Sequence, residues 1–181
     1  RQLMVYRQVM TWFALARNHE LYTPQHFPVF IWITGNQSCD MFYGFPAADG
    51  TPQAIKTATE RYDMPIHADE VERTVAAGEV EMLYNEYIAN RLPDVSARCV
   101  RSATCLYTVA PGARFVIDQA DDAGRIWFAS ACSGHGFKHS PAVGEALVRK
   151  AMGMQELVDI EAFRASRLPI GANPAGSACD S

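Results

Sequence analysis

The sequence predicts an α+β fold, a mixed β-sheet with helices on one face. Two observations lead there. Short apolar segments rich in strand formers recur over residues 3–59 and again over residues 102–131. Two blocks with a different period interrupt and follow them, near residues 79–91 and 142–152, and read as helices.

The elements follow in order. Leu3 to Phe13 combines Val5, Tyr6, Val9, Trp12 and Phe13 with partial alternation and reads as a strand. A polar stretch with Asn18, His19 and Glu20 comes next, then a second strand over Phe27 to Thr34, closed by a Gly35-Asn36 turn. Met41 to Phe45 is a short strand stopped by Pro46, Asp49-Gly50 is a hairpin-type turn, and Ala54 to Thr59 is the return strand. Asp69 to Thr74 reads as a short helix. Gly78 separates it from a second one over Glu79 to Arg91, whose apolar face is Val80, Leu83, Tyr84, Tyr87 and Ile88. Pro93 ends that helix. Ser102 to Val109 alternates as a strand, Pro111-Gly112 turns, and Phe115 to Asp118 is another short strand. Asp121 to Gly124 turns again before Arg125 to Ala131, which reads as a buried strand from its apolar run. The small-residue loop Cys132 to His139 leads into a helix over Ala142 to Met152, with Ser140 as N-cap and Pro141 at the first helical position. Beyond Phe163 the chain is rich in Pro, Gly and Ala and is expected to fray.

Composition narrows the classes. With 181 residues, 49% hydrophobic and 20% charged, the chain can bury a core without disulfides or metals. A formal charge of −4 argues against a broad nucleic-acid footprint. No apolar run approaches the roughly 18 residues that would span a bilayer. Cys39, Cys99, Cys105, Cys132 and Cys179 are odd in number and irregular in spacing, so a reduced, cytoplasmic protein is expected. The chain begins at Arg1, directly before an apparent strand, which suggests that residues precede it.

Several residues carry candidate chemistry. The loop Ser133 to Lys138 lies between a strand and a helix. Gly134 and Gly136 allow close backbone approach, the helix N-terminus favours negative charge, and Lys138 adds a cation, so it reads as an anion or carboxylate site or as a tight turn with a solvated lysine. His135 and His139, with Cys132 near, form a weak metal pattern, and no metal is expected. Cys105 reads first as a small buried hydrophobe, with a reactive thiol as the alternative. Lys56 sits in an apolar strand and is either solvated or placed beside a site. Tyr43 and Phe45 share a strand face, as core or as a pocket wall. No Gly-x-Gly-x-x-Gly follows a strand, so a self-contained dinucleotide-binding unit is absent.

Four blocks together resemble the C-terminal half of the monomeric sarcosine oxidase and N-methyltryptophan oxidase family, FAD-dependent amine oxidases. They are Arg7 to Phe13; Phe42-Tyr43-Gly44-Phe45-Pro46 with Ile55-Lys56; Cys105 to Thr108 leading to Phe115 to Asp118; and Ser133 to Lys138 with Pro141 to Glu145. The resemblance implies a substrate-binding domain over residues 1–110, the C-terminal strand–loop–helix of an FAD-binding domain over 111–165, and a flexible tail over 166–181. It implies that Cys105 forms a thioether to FAD, that Gly134, His135 and Gly136 lie beside the flavin ring, and that Lys138 pairs with the substrate carboxylate. Tyr43, Phe45 and Tyr107 become walls of the substrate cavity, and Lys56 the lysine that promotes reaction with oxygen. Glu60 stands where the family carries a histidine; a carboxylate there would favour a cationic amine or change the charge of the pocket, so the substrate need not be sarcosine. The implied partners are a small amine or amino acid and an N-terminal FAD-binding half, without which these residues are expected to hold no FAD and turn nothing over. Exposed sheet would then favour a homodimer. The competing expectation is a non-catalytic binding module that keeps the fold.

Overall fold

The computed structural model describes residues 3–36, 40–48, 53–62 and 64–169. The expected Asp49-Gly50 turn, Cys39, Cys179 and residues 170–181 of the expected tail lie outside the described residues. The chain divides into two compact units, one of residues 7–106 and one of residues 107–169 with 3–6. The architecture is α+β, with a mixed sheet and few helices, as the sequence implies.

The first unit is built on a six-stranded sheet of β1 (Met4–Leu15), β2 (Phe30–Ile33), β3 (Met41–Phe45), β4 (Ala54–Thr59), β5 (Pro65–Ile66) and β6 (Val95–Val109). Its order is β2-β3-β4-β1-β5, and β6 also pairs with β1. The β2–β3, β3–β4 and β1–β4 pairs are antiparallel. β2 is shorter than expected because its ladder to β3 runs only from Phe30 opposite Gly44 to Ile33 opposite Met41. Phe27 turns its N–H back to the Thr23 carbonyl instead.

Alternation along the strands sends Phe13, Phe42 and Ile55 to one face, where they are fully buried. Helix α1 (Ala77–Leu83) and the π turn that continues it, Tyr84–Ile88, cover this face with Leu83 and Ile88. Tyr84 tilts against Phe13 at 5.4 Å. Gly78 is not a break: it lies in the first turn of α1, and its position is open. The helix expected over Asp69 to Thr74 reduces to a 3-10 turn over Ala68–Glu70. The chain leaves the helical region at Val71, with φ −67° and ψ 126°, and Arg7 of β1 donates to the carbonyls of Glu72 and Thr74 at 2.6 and 2.9 Å, which ties the extended segment to the sheet. Arg7 also pairs with Glu79 at 2.5 Å, and Glu79 accepts from the Ala76 N–H at 2.9 Å. Together these contacts fix the start of α1 on β1.

In the second unit β7 (Val116–Gln119) and β8 (Trp127–Ser130) form a two-stranded antiparallel sheet. The strand expected to be buried is largely open, with Phe128 42% exposed, and among the described residues β7 is its only strand neighbour. Helix α2 (Ser140–Ala151) starts one residue earlier than expected. A 3-10 turn over Phe137–His139 runs straight into it, so Ser140 and Pro141 are its first two residues and Ser140 caps nothing. Nor does fraying begin at Phe163. Arg164 donates to Asp118 at 2.8 Å and to Glu161 at 3.0 Å, and the Ala165 N–H reaches Asp118 at 2.9 Å. A 3-10 turn over Ala165–Arg167 follows.

Candidate functional site

The sheet face opposite α1 carries the first group of candidate residues. Cross-strand register sets Lys56 of β4 between Trp12 of β1 and Phe45 of β3. Directly opposed residues of antiparallel strands share a face, so the three side chains form a row. The Lys56 Nζ lies 5.5 Å from the centre of the Trp12 ring and 5.1 Å from that of Phe45. Tyr43, two residues back on β3, meets Phe45 edge-on at 6.2 Å. The guanidinium of Arg101, on β6, lies 4.5 Å from the centre of the Trp12 ring. Among the described residues, neither Lys56 nor Arg101 has a carboxylate partner.

Glu60 follows β4 and accepts a hydrogen bond from the Tyr62 hydroxyl at 3.1 Å. Cys105 is half-buried on β6. Its neighbour Thr104 donates to the Arg73 carbonyl at 3.4 Å. The structure thus brings Lys56, Tyr43 and Phe45 together on one face, and carries Cys105 on β6, the strand that also bears Arg101. Trp12 and Arg101 complete the row and were not legible as site residues. Trp12 reads as one more apolar strand residue, and Arg101 belongs to no motif, until strand pairing joins them.

The second unit holds the loop candidates. Ser133 and Gly134 both adopt positive φ, 40° and 77°, which bends the chain sharply after β8. Ser133 is buried and locks the bend. Its N–H donates to the Thr108 carbonyl at 2.9 Å and its hydroxyl to the Arg114 carbonyl at 2.8 Å. His135 Nδ1 lies 2.7 Å from the Ser133 carbonyl, and its ring stacks on Phe115 at 4.8 Å. Gly136 makes room for the chain: a Cβ there would lie 1.5 Å from the Ala131 carbonyl oxygen. Lys138 is exposed and forms no ion pair among the described residues. Tyr107 is half-buried in β6.

A groove of about 600 Å³ runs beside the loop, between Phe115, Ile117, His135, His139, Val143 and Phe163. Among the described residues no cluster of three or more His, Cys, Asp or Glu is placed to hold a metal ion. No helix among them is long and apolar enough to cross a membrane.

Comparison with known proteins identifies the lineage. Residues 3–150 match the family described as DAO, FAD dependent oxidoreductase. The chain belongs to this FAD-dependent oxidoreductase family. Its relatives there include the monomeric sarcosine oxidase of Streptomyces avermitilis, 31% identical over 147 residues, or 81% of this chain and 38% of that protein. The peroxisomal sarcosine oxidase of Homo sapiens is 31% identical over 150 residues, 80% of this chain and 37% of that one. The N-methyl-L-tryptophan oxidase of Salmonella enteritidis is 30% identical over 165 residues, covering 89% and 41%. The FAD-dependent oxidoreductase fold recurs in the open form of NikD, an unusual amino acid oxidase essential for nikkomycin biosynthesis. The TM-score is 0.68 at 20% identity, over 90% of this chain and 42% of that one, a likeness of fold alone. The chain spans about two fifths of the length of the curated relatives it matches.

Proposed function

We propose that these residues are the substrate-binding part of a flavin-dependent amine oxidase, together with a C-terminal piece of its FAD-binding domain. The reaction is oxidation of the C–N bond of a secondary or N-methyl amino acid by oxygen, giving an imine and hydrogen peroxide. The observation that carries this reading is the row on one sheet face: Lys56 held between Trp12 and Phe45, without a counter-ion among the described residues.

The residues suit one end of FAD and not the other. An aromatic and cationic sheet face fits a planar, electron-accepting ring, and Cys105 of β6 is the residue to tether it. The pyrophosphate end calls for a glycine-rich strand–helix turn, which the sequence lacks. Bound there, FAD would supply the acceptor for a hydride equivalent from the carbon next to the amine nitrogen. Lys138, exposed at the loop, pairs with the substrate carboxylate. Tyr43 and Phe45 are the wall residues that would exclude water from substrate on this face, and Tyr107 is assigned the same role on β6. Glu60 presents a carboxylate to a cationic amine, and the Tyr62 hydroxyl orients it. Gly134, His135 and Gly136 shape the loop beside the ring. Lys56 sets a fixed positive charge where an anion develops from oxygen, and preorganised charge lowers such a barrier.

The test fuses this chain to the N-terminal part of the N-methyl-L-tryptophan oxidase that it resembles and follows peroxide release from a panel of secondary amino acids. The expected product is a flavin-bearing protein that oxidises at least one of them, with the Michaelis constant raised at least tenfold in Lys138→Ala. A folded, flavin-bearing fusion that oxidises no amine overturns the reading.

A further inference from the structure

We infer that Trp12 is the positioning residue of Lys56, and that Arg101 is a second cation of the same sheet face, so that the face is built to receive an anion. The inference rests on the proposed oxidase reading for its biological meaning and on geometry for everything else.

A lysine can be held in place by a carboxylate or by an aromatic ring, and the two have different consequences. A carboxylate fixes the ammonium and cancels its charge. A ring face fixes it through the quadrupole and leaves the charge available. Lys56 is held the second way and twice over, by Trp12 and by Phe45. Register explains the constancy of the arrangement: both rings stand directly opposite Lys56 on neighbouring strands.

Arg101 deepens the point. Its guanidinium shares the Trp12 ring with Lys56, so two like charges approach one another across a single side chain. They repel. No carboxylate among the described residues offsets that repulsion. The packing of Trp12, Phe45 and Tyr43 on one face does not by itself require either cation. An anion on the face converts the repulsion into attraction for both.

The chain has three lysines, Lys56, Lys138 and Lys150, so each is readable by NMR after 13C-lysine labelling. Ring currents are expected to move the Lys56 Hε signal upfield. Lys150, 5.7 Å from the centre of the Trp127 ring, is shifted in the same sense, and exposed Lys138 is not. In Trp12→Ala the Lys56 displacement falls by at least half while that of Lys150 stays. Trp12→Phe restores most of it. Should Trp12→Ala fail to fold, as judged by circular dichroism, Phe45→Leu serves in its place, with the same expected loss.

Nitrate supplies the anion probe. It is expected to shift the Lys56 signal saturably, with affinity at least fivefold weaker in Arg101→Ala. A Lys56 signal that ignores the loss of both rings, or one that nitrate does not move, overturns the inference. Passing both tests while the fusion oxidises no amine would dismiss the oxidase reading alone. Failing them while the fusion oxidises amines would dismiss this inference alone.

Discussion

Gly136 packs where no side chain fits, since a Cβ there would meet the Ala131 carbonyl at 1.5 Å and the Cys132 Cα at 3.0 Å. Both obstacles are backbone, so relief requires the loop itself to move. Gly136→Ala is expected to destabilise the fold by about 3 kcal/mol in chemical denaturation. Gly78 supplies the contrast. Nothing lies within 4 Å of its missing Cβ, and it sits in the first turn of α1. Gly78→Ala is expected to stabilise by about 0.5–1 kcal/mol in the same measurement, through the unfolded chain's lost freedom and better helix propensity. The sequence marks both as glycines in plausible turns and cannot separate them, because the deciding atom at Gly136 belongs to a strand end five residues earlier. Trp12 and Arg101 escaped for a similar reason. Each acquires a role only when β1 meets its neighbours, and pairing between strands distant in sequence leaves no local trace.

The elements were legible where their own side chains decided them. β3 and β4 fall where alternation and the flanking Pro46 predict. Helix α1 with its π turn keeps the apolar face read from Val80, Leu83, Tyr84, Tyr87 and Ile88. Misreadings arose where another element decided. The helix expected over 69–74 stops at Glu70, and Arg7, some 65 residues away in the chain, ties the extended segment after it to β1. β8 carries a run suited to burial but has a single strand partner among the described residues. The Arg7–Glu79 contact that shapes this region also yields a pH dependence. Hydrogen bonds from Arg7 hold the Glu79 carboxyl below the ordinary carboxylate range. A group depressed in the folded state stabilises when ionised. Its contribution is therefore complete above the unfolded value, about 4.3, and is lost as pH falls through the lower folded one. Glu79→Gln is expected to lower stability by about 1–2 kcal/mol at pH 7, the pair being only partly exposed. Urea denaturation of the two proteins at pH 7 and at pH 3 checks this. The gap between them should shrink at the lower pH, and a gap of unchanged size would show that the charge on Glu79 contributes nothing.

At the scale of the whole molecule, the family and the sheet that bears the candidate face could be read from four sequence blocks, whereas the handling of FAD depends on what these 181 residues can supply. They offer a thiol, a cationic aromatic face and a small-residue loop. They offer no glycine-rich strand–helix turn for a pyrophosphate, which in dinucleotide folds supplies backbone N–H groups and a helix N-terminus to a doubly charged group. Ring contacts alone leave that charge unpaired, so the chain purified in excess FAD and then desalted is expected to be colourless. A visible absorption spectrum before and after acid precipitation decides it. Absorbance that appears in the native sample and leaves with the supernatant would mean that the sheet face and loop hold the cofactor without the pyrophosphate turn, against the expectation. Absorbance that stays with the precipitate would mean a covalent bond, and its loss in Cys105→Ala would fix the attachment point. Thioether formation requires the thiol and the ring to meet in a defined geometry. A yellow precipitate would therefore show that the face of β1, β4, β3 and β6 is organised for the ring in these residues alone, and the colourless outcome that this organisation depends on the pyrophosphate being held as well.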